Sequence, residues 1–354
     1  MIEANLGLFR RRLLRWYRRN RRDLPWRQSR DPYAIWISET MLQQTQVKTV
    51  LPYYRRFITA IPSVQSLARA RLQRVLRLWS GLGYYRRAEN LHQAARQIMR
   101  QHSGVMPRDF DHLRALPGIG DYTAGALLSI AFGKKYPAID GNVRRVLSRL
   151  LLTKSHEKIQ SYAAKLAKTS DPGNLNQALM ELGAMICIPN QPQCDNCPVA
   201  PDCGSRHRLG SQSEKIPTAK MTFRDVTWPL AIVSYRGKIL LRRRRADGLL
   251  AKLWELPGSE INAHEKAEDV VRRELKPLAV AGLVPRRLGE LRHSITNRRI
   301  HAPVLLYRWP MNQPGPEIKA EWHWVVPNEL QRYATSSMTT KAVKLFLQHE
   351  KNSA

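Results

Sequence analysis

Apolar and polar positions change rhythm partway along the chain, and that change predicts two differently built halves. Leu6, Phe9, Leu13 and Trp16 recur at helical spacing within an arginine-rich stretch that runs on into Asp23-Leu24-Pro25-Trp26, which predicts a basic amphipathic helix belonging to the fold. Asp31-Pro32 opens a second helix. Aspartate can accept from the orphan amides of a first turn and proline fits the first helical position, so helix is expected from there to about Gln46. Helical stretches punctuated by glycine and proline continue to Leu182 with few period-two runs, and this half reads as all-α. Pro189, Pro192, Pro198 and Pro201 then crowd one short segment, which suits a backbone wrapped around something rather than a helix.

From Arg206 to Lys215 the text is polar and without period, and it reads as a linker. Beyond it the rhythm is that of strands. Leu230–Tyr235 and Lys238–Leu241 are joined by Arg236-Gly237 in the manner of a hairpin, Arg299–Trp309 forms another strand, and Glu268–Leu275 a helix. The second half is therefore α+β. The expected division is a helical domain over 1–208, a linker over 209–225 and a second domain over 226–350, with no internal repeat.

Composition sharpens this picture in four ways. At 354 residues the chain is long enough for two cores. Lysine and arginine outnumber aspartate and glutamate by 59 to 28, a formal charge of +31. An excess of that size points to a polyanion, because each phosphate neutralised releases condensed counterions. No run of eighteen apolar residues occurs, so no membrane partner is expected. The four cysteines, Cys187, Cys194, Cys197 and Cys203, lie together and nowhere else, which argues against a secreted disulfide framework. Their spacing, C-x6-C-x2-C-x5-C, can hold tetrahedral zinc or a cubane iron-sulfur cluster, and spacing alone does not decide between them.

Leu116 to Ala124 places Gly118 and Gly120 in a turn between helical segments, where glycine lets the backbone approach a phosphate and the following amides supply donors. It looks like a helix-hairpin-helix. Asp140 stands about twenty residues on, before an apolar-periodic run ending near Leu151, and by itself reads as a helix cap. Glu39 sits in a largely apolar stretch, where desolvation would hold it protonated.

Taken together, Leu24-Pro25-Trp26-Arg27, the run from Asp31 to Val47, Gly81-Leu82-Gly83-Tyr84-Tyr85, the hairpin, Asp140 and the cysteine loop resemble the MutY branch of the endonuclease III superfamily over roughly residues 20 to 205. The resemblance implies a helix-hairpin-helix glycosylase domain with a 4Fe-4S cluster on the four cysteines. It implies adenine removal with Glu39 as general acid and Asp140 stabilising or trapping the oxocarbenium-like sugar, supported by Tyr122 and Asn142. By analogy with retaining glycoside cleavage the two carboxyls should then stand roughly 5 to 6 Å apart. Strand-cutting relatives carry lysine where this chain has Tyr122, so a monofunctional enzyme is implied. A lyase-active pyrimidine glycosylase and a non-catalytic lesion binder are the competing readings.

The same resemblance places Gln44 and Tyr84 as wedges beside the mismatch, and Trp26, Arg27 and Glu181 near the adenine pocket. From 226 onward the chain resembles the Nudix-like domain that reads 8-oxoguanine. Trp254-Glu255-Leu256-Pro257-Gly258 and Arg273-Glu274-Leu275 match, but Lys276-Pro277-Leu278 stands where a hydrolase has its metal-binding glutamates. Its reading loop corresponds to Leu291–Asn297, in which His293 and Thr296 agree with the family pattern and Leu291 replaces an aromatic wedge. The expected partner is double-stranded DNA carrying A opposite 8-oxoguanine or G, met by a monomer in the bacterial cytoplasm. Clamp or mismatch-repair partners are not identified by the sequence.

Overall fold

The computed structural model describes residues 5–206, 222–262, 265–278 and 283–353, and falls into two compact units. One comprises Met1–Ala70 with Arg86–Thr218, the other Arg71–Tyr85 with Ala219–Ala354. The stretch read as a linker lies outside the described residues up to 221, while Arg224 and Asp225 belong to a strand.

The helical unit is built from elements that the sequence caps one by one. Asp31 accepts from the amides of Tyr33 and Ala34 and opens the Pro32–Leu42 helix. Asp140 opens Gly141–Leu151 by accepting from Val143, Ser155 opens His156–Ala167 and Asp171 opens Pro172–Met185. Phe9, Leu13 and Tyr17 of the Leu6–Asn20 helix join Val143, Leu147, Leu150, Leu175, Leu179 and Leu182 in one core. Tyr17, not Trp16, takes the last buried place, because the core-facing stripe runs at intervals of four residues and leaves Trp16 at its rim.

Two local features shape the site. The helix expected to reach Gln46 stops at Leu42, because Gln44 adopts the left-handed region at φ 57 and a fresh helix starts at Val47. At Gly125, in the Asp121–Ala126 helix that follows the hairpin turn, an added Cβ would lie 2.0 Å from the Pro137 carbonyl oxygen. Only glycine lets this helix close on the segment that leads into Asp140.

The second unit carries a seven-stranded sheet: β1 (Arg224–Thr227), β2 (Leu230–Tyr235), β3 (Lys238–Arg243), β4 (Trp254–Glu255), β5 (Arg286–Ile295), β6 (Arg298–Arg308) and β7 (Trp322–Val325). Its order is β1-β6-β2-β3-β4, with β5 pairing β6 and β7 pairing β3. The β2–β3 hairpin turns where expected, on Arg236 and Gly237, both at positive φ. Alternate residues of β2 serve opposite faces. Leu230 and Ile232 pack with Ala342, Val343 and Phe346 of the Ser337–Ser353 helix, whereas Ala231 and Val233 pack with Val271 and Leu275 of the Ala267–Leu275 helix. Segment 71–85 groups here through its hydrogen bonds: Tyr85 Oη donates to the Thr335 carbonyl at 3.0 Å and the Thr335 amide to Ser80 Oγ at 3.1 Å. Among the described residues, no helix is long and apolar enough to cross a membrane.

Candidate active site

Every residue from Tyr33 to Met41 is buried, so the Pro32–Leu42 helix carries Glu39 into the interior of the helical unit. Tyr122, on the helix after the hairpin turn, donates its phenol to Glu39 Oε2 and also lies 3.8 Å from Met180 Sδ. Burial pushes the Glu39 carboxyl up to about 7. The Tyr122 hydrogen bond and the charge of Arg27 pull the other way, while the charge of Asp140 adds to the rise. Tyr122 is itself held well above its ordinary value by burial, then by the two carboxylates, and it stays a neutral donor.

Asp140 caps its helix and faces the same space. Its Oδ1 accepts from the Val143 amide at 2.7 Å and its Oδ2 from Asn142 Nδ2 at 3.1 Å. Burial raises its carboxyl too, against the pull of those donors and of Arg145. Two carboxyls, 101 residues apart in the chain, thus feel each other's charge: burial holds one protonated up to about pH 7, and the other is surrounded by donors that favour its ionised form.

Behind Asp140 a chain of hydrogen bonds runs to the cysteine loop. Asn142 Oδ1 accepts from Arg145 Nη2 at 2.8 Å, and Arg145 Nε donates to the Cys187 carbonyl at 2.9 Å. Arg149 donates to the Ile188 carbonyl at 2.8 Å and reaches within 3.3 Å of Cys187 Sγ. Cys187, Cys194, Cys197 and Cys203 are all free thiols and line one cavity, walled by Val146, Leu150, Leu182 and Val199. Among the described residues no three His, Cys, Asp or Glu side chains already form a metal-ion site. Four thiols around an apolar-walled cavity, with arginine donors at its edge, are a donor set suited to a thiolate-bound centre.

Residues 37–169 match the HhH-GPD superfamily of base excision DNA repair proteins, and residues 229–345 match the NUDIX domain. The adenine DNA glycosylase of Rattus norvegicus is 32% identical over 98% of this chain and 80% of its own length. That of Mus musculus is 34% identical over 98% of this chain and 79% of its own. The chain belongs to the adenine DNA glycosylase family. It is a DNA glycosylase acting on adenine, a hydrolase of the N-glycosyl bond, built as a helical glycosylase domain followed by a Nudix-like domain. Among solved structures, a thermostable thymine-DNA glycosylase is 29% identical with a TM-score of 0.54, covering 58% of this chain and 97% of that one. An endonuclease III in a non-covalent DNA complex, 22% identical over 56% of this chain and 94% of its own, shares the fold at a TM-score of 0.50.

The remaining expected positions of this adenine DNA glycosylase fall in varied surroundings. Glu181 does not face solvent. Its side chain is buried and gripped by two guanidinium groups, Arg22 through Nε (2.9 Å) and Nη2 (2.7 Å) and Arg27 through Nη1 (2.9 Å) and Nη2 (2.7 Å). Burial alone would raise its carboxyl, but the two arginines outweigh that and hold it at about 2. Trp26 is buried edge-on against Tyr54, ring centroids 5.1 Å apart. Gln44 and Tyr84 are both exposed and both at positive φ, 57 and 48. Gly118 has φ 78 and would clash with Asn90 if it carried a Cβ, while Gly120 faces open space.

In the sheet unit, the stretch expected to be a reading loop is mostly strand. Leu291, His293 and Ile295 belong to β5, and only Thr296 and Asn297 make the turn into β6. Leu291 packs partly against the sheet's core, and His293 Nε2 lies 3.3 Å from Ser337 Oγ, because strand alternation turns these positions inward. Sequence reasoning missed Arg22 and Arg145. Arg22 has no local signal inside its arginine run, whereas Arg145 stands three residues from Asn142, one helical turn on.

Proposed function

We propose that the protein is a monofunctional glycosylase that removes adenine opposite 8-oxoguanine or guanine and leaves the strand intact. The observation that carries this reading is the Glu39–Tyr122–Asp140 constellation, in which one buried carboxyl titrates near 7 beside a second that is ringed by donors. Glu39 protonates the imidazole-ring nitrogen of the extruded adenine, which turns a poor leaving group into a neutral one. Asp140 stabilises the positive charge developing on the sugar, or bonds to it until water completes the hydrolysis. Asn142 and Arg145 hold Asp140 in place. Tyr122 has no amine with which to form a Schiff base, so no route to strand cleavage opens.

Trp26, Arg27 and Glu181 shape the pocket for the extruded base, Gln44 fills the gap left in the stack, and Tyr84, exposed on its own unit, is an aromatic able to stack on a base. Gly118 and Gly120 bring backbone amides to phosphate, and the large positive charge supplies the salt-dependent part of binding. Cys187, Cys194, Cys197 and Cys203 would hold a 4Fe-4S cluster, which when bound ties the loop into one rigid body beside the DNA backbone. The Nudix-like domain reads the base opposite the adenine with the tip of the Leu291–Asn297 hairpin, where Thr296 and Asn297 are exposed and Leu291 and His293 support the edge from within.

The test incubates the protein with duplexes carrying A opposite 8-oxoguanine, A opposite G and A opposite T, with and without alkali. Adenine release from the first two, with strand breaks only after alkali, is expected. Breaks without alkali, or equal release from A opposite T, would overturn the reading.

A further inference from the structure

The end of the Glu39 helix and the Gln44 turn share one cation. Arg87, the second residue of the Arg86–Gln101 helix, directs Nη1 at the carbonyl oxygens of Thr40 (3.0 Å), Met41 (2.8 Å) and Gln43 (2.5 Å), and Nη2 at Thr45 Oγ1 (3.2 Å). Thr40 and Met41 are among the last residues of the helix that carries Glu39, so their carbonyls have no partner further along it. A guanidinium placed there satisfies them and opposes the negative end of the helix dipole. Gln43 and Thr45 stand on either side of Gln44, whose left-handed backbone at φ 57 is costly for a residue with a side chain. Arg87 therefore brackets the strained residue from both sides. Gln43 extends the connection, its Nε2 lying 3.4 Å from Thr123 Oγ1, next in sequence to Tyr122.

We propose that Arg87 is a positioning residue for base removal: its guanidinium sets the Gln44 turn and the end of the Glu39 helix as one piece. Filling of the stack and alignment of the acid against the extruded base are thereby coupled. The proposal rests on Glu39 being the acid and Gln44 the inserting residue. Lysine cannot substitute, because its single nitrogen could serve the carbonyls of Thr40, Met41 and Gln43 but not also the second arm that holds Thr45 Oγ1 beyond Gln44. The pH profile gives a second handle. If the Glu39 helix loses register, the Tyr122 donation weakens, the carboxylate loses a stabilising partner and the alkaline limb of activity moves to higher pH.

The experiment measures single-turnover adenine release from a duplex with A opposite 8-oxoguanine, across pH 5.5 to 8.5, for the native protein, Glu39→Gln, Arg87→Lys and Arg87→Ala. Loss of release in Glu39→Gln establishes the reading on which the proposal rests. With that in hand, Arg87→Lys should release adenine about 10-fold more slowly with its alkaline limb shifted upward, and added guanidinium ion should restore several-fold activity to Arg87→Ala. Native rates and an unmoved limb in Arg87→Lys would overturn the proposal. Activity persisting in Glu39→Gln would sink the acid assignment instead. If Arg87→Ala does not fold, Thr45→Val removes only the hydroxyl partner and should slow release about 3-fold; a native rate there counts against the bracket.

Discussion

Glu39 and Glu181 are both buried carboxyls of the helical unit, yet one titrates near 7 and the other near 2. The difference lies in their partners. Around Glu181, two guanidinium groups supply four side-chain hydrogen bonds and more positive charge than the carboxylate needs. Around Glu39, one neutral phenol donates and the charge of Arg27 pulls downward, but the charge of Asp140 opposes them, so desolvation wins. A region that answers its buried charge becomes a strut, and one that leaves it under-compensated becomes a proton donor. The signs of their stability contributions are opposite as well. Glu39 favours the fold below about 4.5 and loses that contribution as pH rises through about 7; Glu181 favours it above about 4.5 and loses it as pH falls through about 2.

The comparison is most exposed to Glu39→Gln. Adenine release should fall about 10²- to 10⁴-fold, because the amide cannot supply a proton. The same variant should gain about 3 kcal/mol against denaturant at pH 8 and almost nothing at pH 4. Unchanged release in a rapid-quench assay would place the acid elsewhere. Next in size is Glu181→Ala, which leaves two guanidinium groups facing each other and should cost about 3–5 kcal/mol of unfolding free energy. A loss below about 1 kcal/mol in a urea titration would show the clamp to be dispensable. Smallest is Tyr122→Phe. Removing the donor to Glu39 should shift the alkaline limb of the pH–rate profile above 7, so that release at pH 8 falls less, relative to release at pH 6, than it does in the native protein. A limb that moves down would mean that Tyr122 favours the protonated acid rather than the carboxylate.

Much of the architecture was legible because its signals are local. The Asp31 and Asp140 caps, the Arg236-Gly237 turn and the period change after Lys215 depend on neighbours within a few residues. The misplaced helix end at Gln46 is of another kind. Nothing in Gln43-Gln44-Thr45 announces a left-handed turn; a guanidinium 43 residues further on from Gln44 stabilises it. In Leu291–Ile295 the alternation is present, with Arg292 and Ser294 outward, but resemblance to a reading motif hid the strand beneath it.

At the candidate site, the sequence by itself determined which groups are available: Glu39 on an apolar helix, Asp140 at a cap, Tyr122 in place of an amine, and four thiols on one loop. Only the tertiary structure decided what those groups are. It brought Glu39, Tyr122 and Asp140 together from three distant segments, and it gave Glu181 two arginines from the far end of the chain. The reason is physical: desolvation and Coulomb interaction depend on distance and on excluded water, not on position along the chain, so two identical side chains acquire opposite protonation from their surroundings alone.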